Sequence, residues 1–276
     1  TEHKTFSDLL RRYQTKISPT KTSGAWESKR IETLLKDEIA QVSLRNLTPK
    51  AASEWRDRSL EQRSGETVLR DLTILRHACS IATNEWGWLR QNPFSRIKKP
   101  AGNPPRDRRV SAEEIEAICH AAGYRSDALL LTRTARTAAA FVFALETAMR
   151  QGEIANLMPE DDFGEYVFVR RSKNGESRSV PLTPRAREIL DQVSSNFEVT
   201  ADSMSSLFTQ KIKPRATIAV PSVATLHFHD SRGEALTRMA KVLSVLDLAK
   251  VSGHRDLRIL LNTYYLIQKK ILHLKM

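Results

Sequence analysis

Residues 98–109 read KKPAGNPPRDRR, a run of prolines and basic residues with no apolar periodicity. Nothing in it continues a helix or a strand, so it reads as a semi-extended linker with foldable sequence on both sides. A chain of 276 residues holds one large core or two smaller ones. The break favours two: a helical module over 1–97, the linker over 98–109, and a second domain over 110–276. The five Lys and Arg of the linker suit a path along a phosphate backbone, and equally a plain tether.

The first domain reads as helices. Phe6, Leu9, Leu10 and Tyr13 give one apolar face, and Trp26, Ile31, Leu34, Leu35 and Ile39 a less regular second stripe. Thr48-Pro49 is an N-cap followed by proline at the first helical position, opening a third helix through Trp55. Val68, Leu72, Leu75, Cys79, Ala82 and Trp86 step by fours and threes along a fourth. Beyond the linker, Ser111 and Glu114 form a capping box. Residues 134–149 are apolar on nearly every face and read as a buried helix. The period then changes. Tyr166–Arg170 and Arg178–Leu182 read as strands joined by a turn at Lys173-Asn174-Gly175-Glu176, a hairpin signal. After Pro184 the pattern is helical again. The expected fold class is mainly α, with one small antiparallel β-sheet in the second domain.

Charge narrows the partner. There are 44 Lys and Arg against 32 Asp and Glu, a formal +12. Such an excess favours a polyanion, nucleic acid or an anionic membrane surface, and a solvated basic surface remains the plain alternative. No basic amphipathic helix dominates, and no apolar run approaches the ~18 residues of a membrane span. The N-terminus has no secretory pattern. It starts at Thr1 rather than Met, which leaves residues upstream open. Cys79 and Cys119 sit in helical contexts and read as reduced core thiols of a cytoplasmic protein.

Five polar features stand out. Arg150 follows the apolar helix, with Glu153 three residues on to orient its fork toward a phosphate; a C-terminal arginine favouring the helix dipole is the alternative. Lys173 tips the hairpin, either solvated or a mobile ammonium able to deliver a proton. His229 and Arg232 share a helix face and can grip one phosphate. His227 and His229 weakly suggest a metal site, but no cysteine or ordered carboxylate spacing accompanies them. Gly253-His254 places an imidazole beside a tight turn, at a helix start. Tyr264 and Tyr265 are adjacent phenols that alone read as packing.

The order Arg-x-x-Glu, hairpin Lys, His-x-x-Arg, Gly-His and then Tyr resembles the tyrosine recombinases, the phage-type integrases, over nearly the whole chain. The resemblance implies a core-binding DNA-binding module over 1–97 and a catalytic domain over 110–276. It implies a site-specific recombinase that cuts and rejoins DNA through a 3′-phosphotyrosyl intermediate. Arg150 and Arg232 would neutralise the scissile phosphate, Lys173 would protonate the leaving 5′ oxygen, and His229 would help deprotonate the nucleophile. His254 would donate to the phosphate, and Glu153 would support Arg150. The cations are side chains and the phosphotyrosine conserves the bond energy, so neither metal nor nucleotide cofactor is required. The implied partners are double-stranded DNA, three further copies in a homotetramer on synapsed duplexes, and DNA-bending accessory proteins. The implied setting is cytoplasmic, on a bacterial nucleoid, phage or mobile element. A catalytically inactive DNA-binding or architectural protein on the same fold is the alternative.

Two features depart from the family pattern. Its tyrosine often lies nine residues after the Gly-His histidine, but position 263 is threonine. One extra helical residue, Leu260 or Leu261, would bring Tyr264 into register, with Tyr265 the alternative nucleophile. Gly233 stands where a histidine is common. Ile267, Ile271 and Leu274 form an apolar stripe that could pack on its own domain or on a neighbouring protomer. No arm-binding domain is visible in the sequence.

Overall fold

The structure, a computed structural model, describes residues 4–102, 106–170 and 177–265, the Tyr265 side chain excepted. The chain divides into two compact units, Thr1–Pro105 and Arg106–Met276.

Four helices build the first unit: α1 (Phe6–Lys16), α2 (Gly24–Leu34), α3 (Pro49–Gln62) and α4 (Gly65–Asn84). Three of the starts have a local cause. Thr5 and Asp8 close a capping box on α1, Thr48 caps α3 ahead of Pro49, and Ser64 caps α4. The expected stripe of α1 is fully buried, and Trp55 and Phe94 meet edge to face beneath it. Burying each such side chain stabilises by about 1.5–3 kcal/mol. The second stripe is only partly buried. Trp26 is 47% exposed, and Ile39 lies in a separate 3-10 turn, Glu38–Gln41, capped by Asp37. Trp86 falls past the end of α4, where it and Trp88 flank the Arg12 guanidinium at 4.5 and 4.7 Å. Cation–π attraction and stem burial explain why these rings stay half outside the core.

The second unit is mainly α with one two-stranded antiparallel sheet. After α5 (Ala112–Ala122), opened by the Ser111–Glu114 capping box, comes the central α6 (Arg133–Thr147). Eleven of its residues are buried, and α5 and later helices pack around it. α6 ends at Ala148, a left-handed non-glycine residue (φ +54°), and α7 (Gln151–Ala155) follows. Strands β1 (Tyr166–Val169) and β2 (Arg178–Pro181) pair Tyr166 with Pro181 through Val169 with Arg178. The expected turn at 173–176 lies outside the described residues.

The helices then resume with α8 (Pro184–Gln192) and α9 (Ala201–Leu207). A π turn, Phe208–Ile212, leads into α10 (Lys213–Ala219) just before Pro214, whose ring cannot follow a regular α turn. α11 (Asp230–Met239), α12 (Val245–Ser252) and α13 (Leu257–Leu260) complete the unit, with a second π turn at Leu261–Tyr265.

The basic linker does not behave as one segment. Arg106, Arg108 and Arg109 belong to the second unit. There they pair with Asp230, Glu114 and Glu234, carboxylates that are each nearly buried. A buried carboxylate needs a cation, and these arginines supply it. Among the described residues no helix is long and apolar enough to cross a membrane.

Candidate active site

Arg150 is not at the C-terminus of α6. It is the N-cap of α7, so the helix-dipole alternative does not explain it. Glu153, three residues on, turns back on it. One carboxylate oxygen accepts from the Arg150 backbone N–H at 2.8 Å, the other from Arg150 Nη1 at 2.9 Å. Glu153 also accepts two bonds from Arg178 of β2, at 2.9 and 2.7 Å. Burial pushes the Glu153 carboxyl up, but the Arg178 and Arg150 donors outweigh it and hold the pKa at about 2.

Arg178 was absent from the sequence-based set. Its signal was the strand period: Arg178 lies two residues before the buried Val180, on the same strand face. A guanidinium on an inward face requires buried acceptors. It has Glu153 and also the Val251 carbonyl, at 2.7 Å.

His229 is the N-cap of α11 and Arg232 lies in its first turn. Arg232 is 3% exposed and donates to two main-chain carbonyls, those of Ala148 and of Ser252, the latter at 2.8 Å. Burial, then the neighbouring Arg150, lowers its pKa to about 9, so it is still a cation at neutral pH. His229 keeps solvent access. Partial loss of hydration, then the Arg232 charge, nonetheless lowers its imidazole pKa.

His254 is not at a helix start. It follows the C-terminal turn of α12, where Gly253 adopts the left-handed conformation (φ +69°). A Cβ at Gly253 would stand 3.2–3.3 Å from the Arg178 guanidinium and its stem. Glycine therefore lets the His254 turn close over Arg178. Ser252 Oγ lies 2.7 Å from His254 Nδ1. Burial first, and then Arg232, Arg150 and Arg178, bring the His254 pKa down to about 4. Arg178, Gly253 and His254 line an open pocket of about 440 Å³ together with Lys250 and Arg255.

Tyr264 lies in the π turn and packs on a small cluster that includes Ala148, Leu236, Leu248 and Leu260. Burial raises its pKa, and the Arg232 and Arg109 charges oppose that rise. The phenol is therefore protonated at neutral pH. A π turn holds one residue more than the α turn it replaces. Lys173 lies outside the described residues, as does the stripe of Ile267, Ile271 and Leu274. His227 uses its backbone N–H to bond Asp230 at 2.8 Å. Among the described residues no three His, Cys, Asp or Glu gather as a metal site. The site thus joins Arg150, Glu153, His229, Arg232 and His254 with Arg178, and sets Tyr264 within the field of Arg232.

The model of the phage integrase family matches residues 108–270. A Haemophilus influenzae protein assigned as an integrase/recombinase is 37% identical over 273 residues, covering 94% of this chain and 86% of that protein. The shufflon-specific DNA recombinase of Escherichia coli is 34% identical over 236 residues, covering 81% of this chain and 57% of that protein. Among solved structures, the Tn1549 transposon integrase in complex with transposon right-end DNA superposes with a TM-score of 0.75 at 18% identity, covering 95% of each chain. A lambda integrase tetramer bound to a Holliday junction gives 0.72 at 18% identity, covering 92% of this chain and 79% of that one. These two share the fold. With the family model spanning more than half its length and close relatives along nearly all of it, the chain belongs to the phage integrase family, the tyrosine-type site-specific recombinases.

Proposed function

We propose that the protein cuts and rejoins duplex DNA with Tyr264 as nucleophile, and that residues 110–276 carry this chemistry while residues 1–97 form a DNA-binding module. The observation that carries the reading is the gathering of three guanidinium groups, Arg150, Arg178 and Arg232, around one carboxylate, Glu153. This leaves positive charge for an incoming anion.

A phosphodiester gains charge on its non-bridging oxygens as a nucleophile arrives, and fixed cations stabilise that charge most where it develops. Arg150 and Arg232 take those oxygens, and His254 adds a further donor. Arg178 and Glu153 hold Arg150 in place. The Tyr264 oxygen forms a bond to phosphorus, its proton passing to His229. The bond from phosphorus to the 5′ oxygen breaks, and Lys173 supplies the proton that makes a 5′ hydroxyl. A 5′ hydroxyl from a partner strand then attacks the 3′-phosphotyrosyl link and releases the tyrosine. The π turn favours Tyr264 over Tyr265. Exchange between two duplexes calls for four copies on synapsed DNA, in the cytoplasm of the host, with DNA-bending proteins as accessories.

The experiment uses nicked duplexes carrying phage or plasmid junction sequences, so that the cleaved 5′ end diffuses away. Wild type, Tyr264→Phe and Tyr265→Phe are assayed for a denaturant-resistant protein–DNA adduct. The expected result is an adduct lost only in Tyr264→Phe. Loss only in Tyr265→Phe would move the nucleophile by one residue. Specific binding without any wild-type adduct would leave a non-catalytic DNA-binding protein.

A further inference from the structure

At the end of α12 a single hydroxyl stands between two groups. Ser252 is fully buried, and its Oγ lies 2.6 Å from the Leu248 carbonyl oxygen and 2.7 Å from His254 Nδ1. A hydroxyl has one proton to give, and a carbonyl oxygen has none. Two oxygens at 2.6 Å without a hydrogen between them would repel. The Ser252 hydroxyl therefore donates to Leu248, and its oxygen is left to accept from His254 Nδ1–H. The same residue's carbonyl accepts from Arg232 Nη2 at 2.8 Å. Ser252 thus holds both the imidazole and the most buried guanidinium of the site.

We infer that Ser252 is a positioning residue that fixes His254 as the Nδ1–H tautomer, with a lone pair on Nε2, so that His254 donates to a bound phosphate only after taking up a proton. A neutral imidazole has one N–H, and the partner of one nitrogen decides the state of the other. The charged groups acting on His254 are Arg232 from α11, Arg178 from β2, and Arg150 and Glu153 at the start of α7. Three cations, offset only in part by one carboxylate, oppose a further positive charge in the free protein. A phosphate among those cations offsets their repulsion and accepts from the new Nε2–H. The proton comes from solvent, one for each phosphate bound: the Nε2–H bond forms as an O–H bond of hydronium breaks. The identity of the anion rests on the proposed function; the tautomer does not.

The test begins with the full chain labelled with ¹⁵N-histidine. Long-range ¹H–¹⁵N correlation at neutral pH reads the tautomer directly, with His254→Gln assigning the signal. Wild type is expected to show His254 protonated on Nδ1 only. Ser252→Ala is expected to shift it predominantly to Nε2–H, and Ser252→Thr, which keeps the hydroxyl, to restore the wild-type pattern. Wild-type His254 found as Nε2–H would overturn the inference without recourse to any variant, as would an unchanged pattern in Ser252→Ala.

The nicked-duplex adduct gives the second readout. Proton uptake is lost as pH rises, so adduct formation by wild type should fall relative to Ser252→Ala by up to about tenfold per pH unit above neutrality. Parallel pH profiles would overturn the coupling. If neither protein forms an adduct, the proposed function fails, and the tautomer spectra decide the inference on their own.

Discussion

The second unit holds two sets of three arginines that meet different numbers of carboxylates. Arg106, Arg108 and Arg109 each meet a different carboxylate, Asp230, Glu114 and Glu234, the last shared with Arg238. Arg150 and Arg178 share Glu153, while Arg232 bonds main-chain carbonyls. The first three are matched one carboxylate to each and fasten the end of the linker to the unit. The second has two positive charges more than it has negative ones. Neutral dipoles hold a buried cation in place without cancelling its charge. Composition counts six similar residues; the location of the carboxylates separates a fastening from a cluster with charge to spare.

The two clusters should differ most at Arg232. Arg232→Ala should slow adduct formation by roughly a hundred- to a thousandfold, about 3–4 kcal/mol of barrier. Arg106→Ala should slow it by less than about tenfold, since Arg106 pairs with Asp230 and not with Glu153. Single-turnover rates on the same nicked duplex would settle the order, and a reversal would mean that the fastened cluster is the functional one.

Glu153→Gln removes the one anion of the second cluster. With Arg178 left buried and unpaired, the loss should be about 3 kcal/mol in urea unfolding at pH 7. The same carboxylate sharpens the comparison through pH. Its folded pKa, about 2, lies below its unbound value of 4.5. Its contribution is therefore complete above about 4.5 and disappears as pH falls toward 2. Glu153→Gln should flatten that part of the stability curve.

A smaller effect is expected at Gly253. Gly253→Ala places a methyl group in the left-handed region, at about 1–2 kcal/mol, and presses it on Arg178. Lower stability with a weakened Arg178–Glu153 contact in a structure of the variant would tie the turn to the cluster. An unchanged melting point would show that Arg178 yields easily. Smallest of all should be Arg109→Ala, at most about 1 kcal/mol, because its side chain is 43% exposed.

Much of this was legible in advance because it depends on near neighbours in the chain. Capping boxes at Thr5 and Ser111, the proline entry of α3, the buried α6 and the strand alternation around Val180 all act within a few residues. Trp26 misled because periodicity specifies a face and not whether another element covers it. Trp86 was assigned to α4 on spacing alone, yet the helix stops at Asn84. Arg178 carried only the weak signal of its strand face, since its partner lies 25 residues away in the chain.

The sequence by itself determined the mainly helical fold, the hairpin, and the order of Arg150, His229, Arg232, His254 and Tyr264, since residue type and spacing are properties of the chain. Only the tertiary structure decided that Arg150 caps a new helix, that Arg178 completes the cluster, that the linker arginines are fastened, and that Tyr264 lies in a π turn. The physical reason is that these outcomes turn on which buried charge finds which partner. Desolvation makes that choice costly to get wrong, and it is made between segments far apart in sequence.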